Sequence, residues 1–276
     1  SPDSLTRATA EGISQEISKF ATDLSLNRQV YDALSGMNLT GADVETKYYV
    51  EKTLRDFRLS GVDKDEATRD RIKKLQEELV LVSQEFGRNI REDKSTVSCM
   101  PADLDGLPPD YIDRHKPGTD GHITLTVEDP DYGPVSTYAK SDDLRRRMYM
   151  AYQNRAHPKN IEVLDRMRQK RHELALALGF TNYADCVMAD KMAGNAATAR
   201  AFIDRCVAAS GERQTREYAQ LLARKAKDTP GATVVNFWEF PYYSEQVRKS
   251  DYSFNSQDLR AYLPYEKVKH GVLDVA

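Results

Sequence analysis

The apolar positions of this 276-residue chain recur mostly at helical spacing. The clearest run lies within residues 65–93. Ile72, Leu75, Leu79, Val82 and Phe86 follow one another at intervals of 3, 4, 3 and 4, and Ile90 continues the series. That spacing puts all six on one face of a helix. A helix of this kind lies against others in a bundle. The same heptad can also pair two chains, although about three heptads is short for a coiled coil. Earlier helices are predicted from the first residues to about Leu24, around Val30–Met37, and from about Ala42 to Leu59 with a stop at Gly61. At the start, Ser1 can cap, Pro2 suits a first turn and Asp3 favours the positive helix end. Later helices are predicted over Asp142–Arg155, Asn160–Leu178, Tyr183–Lys191 and Ala196–Lys227, the last capped by Asn195. Gly179 followed by Phe180 reads as a Schellman stop with its apolar partner, and Thr181 can cap the helix after it.

The middle interrupts this pattern. Between Lys94 and Thr137 stand six prolines (Pro101, Pro108, Pro109, Pro117, Pro130, Pro134) and two short alternating runs, 96-TVSCM-100 and 122-HITLTV-127. These read as a small β-ribbon set into a helical body. The expected fold is therefore mainly α. It is a bundle-like helical lobe spanning 1–276, with an insertion at 94–137 whose ribbon lies near 95–128. The tail from residue 235 carries Trp238, the sole tryptophan, several tyrosines and one or two further helical segments.

Composition narrows the function classes. Forty basic and 43 acidic residues are well mixed and give a net charge of -3, so nothing pulls the chain toward nucleic acid or an anionic membrane. No run of about 18 apolar residues exists, and the first twenty residues lack the apolar core of a secretion signal. Cys99, Cys186 and Cys206 are too few and too scattered for a disulfide framework. They read as reduced thiols, the two on helices being buried, and the cytoplasm is the default compartment.

Candidate chemistry is sparse. His172-Glu173 sits mid-helix and has the first half of H-E-x-x-H, the zinc-peptidase motif. A zinc site on one helix needs a second histidine one turn on, and Leu176 stands there. His115, His122, His157 and His270 form no such pair, and there is no C-x-x-C. Phosphate-loop, Rossmann and G-x-S-x-G patterns are also missing. Arg145-Arg146-Arg147 reads as an anion site or a solvated helix face. Trp238 with Tyr242 and Tyr243 can line a peptide groove or wedge helices together. The residues thus name no catalytic group and no metal ligand, and leave Tyr242, Tyr243 and Arg146 as candidates for substrate contact.

Four stretches, read together and in order, carry more. They are 85-EFGRNIRED-93 with 102-ADLDGLPPDYI-112; 131-DYGPVSTYAKSDDLRRRMYMAYQNRA-156; 170-KRHELALALGFTNYADCVMADKMA-193; and the tail from Trp238 to Ala276. This series resembles the thimet oligopeptidase, or M3, family of zinc metallopeptidases. The resemblance implies that His172-Glu173 belongs to a structural helix, and that the family's H-E-x-x-H and third zinc ligand match no residue here. It implies the N-terminal part of an enzyme whose catalytic lobe lies outside these residues. That part would form one helical wall of a channel admitting short peptides, its partners being those peptides and the absent lobe, with no role for nucleic acid or membrane. Zinc is expected in the complete enzyme and not in this chain, which is expected to be inactive alone. The alternative is a non-catalytic helical peptide-binding or scaffold protein.

Overall fold

A computed structural model describes residues 3–275. In chain order it contains α1 (Ser4–Ser25), α2 (Arg28–Ser35), α3 (Val44–Ser60), α4 (Glu66–Arg91), β1 (Thr96–Cys99), α5 (Pro109–Arg114), β2 (Ile123–Thr126), α6 (Asp129–Tyr138), α7 (Asp142–Gln153), α8 (Lys159–Leu178), α9 (Tyr183–Met188), α10 (Ala196–Asp228), α11 (Phe240–Asp251) and α12 (Tyr265–Val275). Short 3₁₀ turns occupy Pro101–Leu104, Phe237–Glu239 and Ser256–Ala261. The fold is mainly α with one small antiparallel ribbon, as the periodicity predicts. Among the described residues no helix is long and apolar enough to cross a membrane.

The chain divides into two compact units. One comprises Ser1–Glu92 with Ala156–Ala208, the other Asp93–Arg155 with Ala209–Ala276, so the division falls within α10.

In the first unit α4 is the central element. Its predicted apolar face meets α8: Ile72 and Leu75 pack with Leu26 and Leu174, and Val82 packs with Val163 and Met167. Leu79 and Phe86 close the edges of these clusters. The seam that a partner chain would have needed is thus filled from within the chain. Buried Asn89 donates to the Asn160 side-chain oxygen at 2.8 Å, and Asn160 donates to the Phe86 carbonyl at 3.0 Å, so this polar pair inside the helix contact is matched. The opposite, polar face of α4 carries α1. Arg88 and Arg91 both reach Glu11, Gln84 meets Gln15, and Lys73 meets Asp23. α8 ends as predicted: Gly179 takes φ +92°, its N–H reaches the Leu176 carbonyl, and Phe180 N–H reaches Ala175.

In the second unit β1 and β2 pair with Val97 opposite Leu125 and Cys99 opposite Ile123. Alternation turns these four side chains to one face. They are buried with Leu104, Leu107, Tyr111, Val135, Leu144 and Met148, contributed by the following turn and by α5, α6 and α7. Gly106 lies in this region at φ +93°. A Cβ there would strike the Tyr138 carbonyl oxygen. A second cluster joins Tyr218, Leu221 and Leu222 of α10 to Val235, Tyr242 and Tyr243.

Four local expectations are corrected. The proline-rich middle holds helices α5 and α6 beside the ribbon, because Pro109 and Pro130 stand in first turns, where an N–H has no helical partner to lose. Asp3 caps α1, accepting from the Leu5 and Thr6 amides, while Ser1 and Pro2 lie outside the described residues. Asn182, not Thr181, caps α9, accepting from the Asp185 amide at 2.9 Å. The buried thiol is Cys99 on the ribbon; of the two helical cysteines, Cys186 is half-buried and Cys206 exposed.

Candidate functional site

The sequence singles out a triple arginine and an aromatic group, and α7 and α11 of the second unit bring part of each together. α7 begins at Ser141, whose hydroxyl accepts from the Leu144 amide. One turn of helix then separates the three arginines by about 100° each, and they meet different surroundings. Arg145 is only 2 % exposed. Its guanidinium donates to the Ala139 carbonyl at 2.6 Å, the Lys140 carbonyl at 3.0 Å and the Asp142 carboxylate at 2.8 Å. Its flat face covers the Tyr242 ring. Arg147 bonds Asp143 at 2.6 Å and the Ser98 carbonyl at 2.5 Å. Arg146 is exposed on the solvent side of α7.

α11 supplies the aromatic half. Tyr242 and Tyr243 are both buried, with rings edge to face at 5.2 Å. Burial pushes the Tyr243 phenol above its usual range. Trp238 donates its indole N–H to Asp142 at 3.2 Å, so the aromatic turn and the arginine helix share one carboxylate. A buried ion pair fixes that turn. Lys225 of α10 meets Glu239 at 2.7 Å and also donates to the Val234 carbonyl. Burial works against the Glu239 charge, but Lys225 and the Asn236 amide outweigh it and hold the carboxyl below its ordinary value. Of the three candidates, then, Tyr242 and Tyr243 are buried in the second unit and Arg146 is exposed on its surface.

Sequence reading missed a second polar cluster. Asp131 of α6 accepts from the Tyr111 hydroxyl at 3.0 Å, and from the Thr126 amide at 2.8 Å and hydroxyl at 2.7 Å. The same carboxylate lies 3.0 Å from His115 Nε2, while His115 Nδ1 lies 2.7 Å from the Tyr111 carbonyl and its ring stacks on Tyr111 at 4.1 Å. Burial alone would raise the Asp131 pKa, but these donors hold it below the ordinary carboxylate value. Burial beside Asp131 pushes the Tyr111 phenol well up. Four donors converge on the Asp131 carboxylate, which thereby ties α5, β2 and α6 together.

His172 is exposed on α8, and Glu173 pairs with Lys170 at 3.7 Å. Zinc, which the resemblance implies for the complete enzyme, takes three or four nitrogen, sulfur or carboxylate donors. Among the described residues no three of His, Cys, Asp and Glu converge as a metal site would require. The residues present therefore do not fit that ion.

Residues 135–276 match the sequence profile of Peptidase family M3. Over 279 residues the chain is 29% identical to oligopeptidase A of Salmonella typhimurium, covering 94% of this chain and 41% of that protein. It is 26% identical over 293 residues to saccharolysin of Saccharomyces cerevisiae, covering 100% of this chain and 41% of the relative. It is also 26% identical over 292 residues to the organellar oligopeptidase A of Arabidopsis thaliana, covering 98% and 37% respectively. The chain thus spans about two fifths of the length of the curated relatives it matches.

Proposed function

The chain belongs to Peptidase family M3, and on that premise we propose that it is part of a longer metallo-oligopeptidase, where it forms a helical wall of the peptide channel. The observation that carries this reading is a combination. A peptidase profile covers half the chain, yet no three metal-donor side chains converge among its described residues. The hydrolytic chemistry then belongs to other residues of the complete enzyme, which would bind zinc. This part contributes shape and substrate contact.

Tyr242, Tyr243 and Arg146 keep their place in the proposal with divided roles. The two buried tyrosines and Arg145 stiffen the wall, because a guanidinium held on an aromatic face by the Ala139 and Lys140 carbonyls and Asp142 has few alternative arrangements. Arg146 projects from it and is suited to a peptide carboxylate, which a guanidinium can grip with two parallel bonds. Short peptides are the partners and the cytoplasm the compartment in this reading.

A quenched fluorescent peptide tests it. The purified 276-residue chain, with zinc supplied, is expected to leave the peptide intact, and the longer product of the native gene is expected to cleave it. Zinc-dependent turnover by the 276-residue chain itself would overturn the assignment. Peptide binding by a gene product that never cleaves would point to the scaffold alternative.

A further inference from the structure

The sequence sets His172 beside Glu173, and α8 sends the two apart. Glu173 reaches Lys170, which also meets Glu78 of α4 at 2.8 Å. His172 instead shares a face with Leu164, Arg168 and Arg171, which stand eight, four and one positions before it. At 100° per residue this face lies about a quarter turn from Val163, Met167 and Leu174, which fill the contact with α4. It is therefore neither the core side of the helix nor a side that α4 covers.

Where this face meets the first turn of α9 there is a cavity of about 440 Å³, lined by Leu164, Arg168, Arg171, His172 and Tyr183. That volume is in the range of small-ligand sites. No acidic residue stands in its wall. Tyr183 is half-buried and packs on the core cluster around Leu174, so its ring is a fixed wall. Arg171 lies over that ring, its guanidinium carbon 5.4 Å from the centre. Among the described residues, the side chains of Arg171 and His172 make no ion pair and no hydrogen bond. Arg168 meets Asp165 at 3.4 Å, with the two side chains 75% and 61% exposed. A pair so open to water is weak and yields readily to a better-placed acceptor. Leu164, itself 48% exposed, adds apolar surface beside the cations.

Two guanidinium groups one turn apart, with an apolar wall beside them, call for an anion that carries an apolar body. A carboxylate matches the guanidinium fork, which offers it two parallel N–H bonds. We propose that this pocket of α8 and α9 binds the C-terminal residue of a short peptide. Its carboxylate lies on Arg168 and Arg171, and its apolar side chain lies on Leu164 and Tyr183. His172 supplies one further N–H in either tautomer. Each hydrolysed peptide bond makes a new carboxylate, so products fit this description as well as substrates. The peptide as source rests on the reading of the chain as part of an oligopeptidase. The pocket belongs to the first unit and is separate from Arg146 on α7 of the second.

Calorimetric titration of the 276-residue chain with acetyl-alanyl-alanyl-leucine, as the free acid and as the C-terminal amide, tests it. The acid is expected to bind about tenfold tighter or more, because the amide cannot form the charge-assisted pair. Arg171→Gln and Leu164→Asp change exposed positions and are expected to unfold within about 2 °C of the parent. Each is expected to weaken binding of the acid about tenfold, one by removing a cation and the other by adding a carboxylate to the wall. Equal binding of acid and amide, no binding at millimolar peptide, or tighter binding of inorganic phosphate than of the peptide would overturn the proposal. So would loss of binding in Arg146→Gln with Arg171→Gln unaffected, which would place the carboxylate on α7. Peptide cleavage by the longer gene product is read separately. No cleavage sinks the oligopeptidase reading and leaves the binding result standing, and cleavage without binding at this pocket sinks the pocket alone.

Discussion

The guanidinium carbon of Arg145 lies 4.1 Å from the centre of the Tyr242 ring. The two residues are nearly a hundred positions apart, and their contact joins α7 to α11 in the second unit. Three consecutive arginines look alike in sequence, yet only this one is enclosed, because its position on α7 faces the ring while Arg146 faces water.

Substitution should separate those neighbours. Arg145→Ala strips donors from the Ala139 and Lys140 carbonyls and uncovers Tyr242. The expected loss is roughly 3 kcal/mol. Arg146→Ala is expected to stay within about 0.5 kcal/mol of the parent, as an exposed substitution away from special contacts does. Urea unfolding of both variants gives the comparison, and similar losses would contradict the burial of Arg145.

Asp131 makes acid stability a local question. Its donors hold the folded pKa below the ordinary carboxylate value. The unfolded chain therefore binds the proton first, and this group's contribution is present above pH 4 and lost as the pH falls through the folded pKa. Asp131→Asn should cost about 2 kcal/mol at neutral pH, through unmatched Thr126 and Tyr111 donors. It should also flatten part of the decline as the pH falls below 4. A variant whose stability falls with acid as steeply as the parent's would rule this out.

The thiols should react in order of burial. Cys206 is exposed and should be modified first by a thiol reagent at pH 8. Cys186 is half-buried, and burial raises its pKa. Cys99, enclosed in the ribbon core, is pushed up to about 11 by burial, with the Asp103 charge adding to it. One fast equivalent in the native protein and three after denaturation are expected. A fast Cys99 would mean that the ribbon face is open.

Gly106→Ala combines a left-handed backbone with a collision at the Tyr138 carbonyl. The loss should be on the order of 2 kcal/mol or more, because backbone and not a flexible side chain must give way. The same urea assay reads it, and a neutral result would require a different turn at this position.

What the sequence made legible was whatever repeats along one element. The α4 face is readable because its 3-and-4 spacing is the direct record of burial against α8. The ribbon is readable because alternation at Val97, Cys99, Ile123 and Leu125 records a single covered face. α6 is not, since Gly133 and Pro134 argue against a helix interior, and tertiary packing of Val135 and Ala139 overrides them. The candidate residues show the same limit. Aromatic and arginine clusters are visible as composition, but which arginine meets which ring depends on where α11 lies. Likewise nothing near Asp131 announces Tyr111, twenty residues earlier, as its partner.

Arg260 and Asp110 form a two-pronged bond, at 2.7 and 2.8 Å, between the last 3₁₀ turn and α5. Both partners are about half in water, and Arg260 holds the Asp110 carboxyl down to about 2. Such a clasp is made of charge with little oil behind it, so concentrated salt should weaken it while the helices it fastens stay formed. Residues 258–275, exposed throughout, are in that sense latched on and not welded, and brine rather than heat is the key that fits.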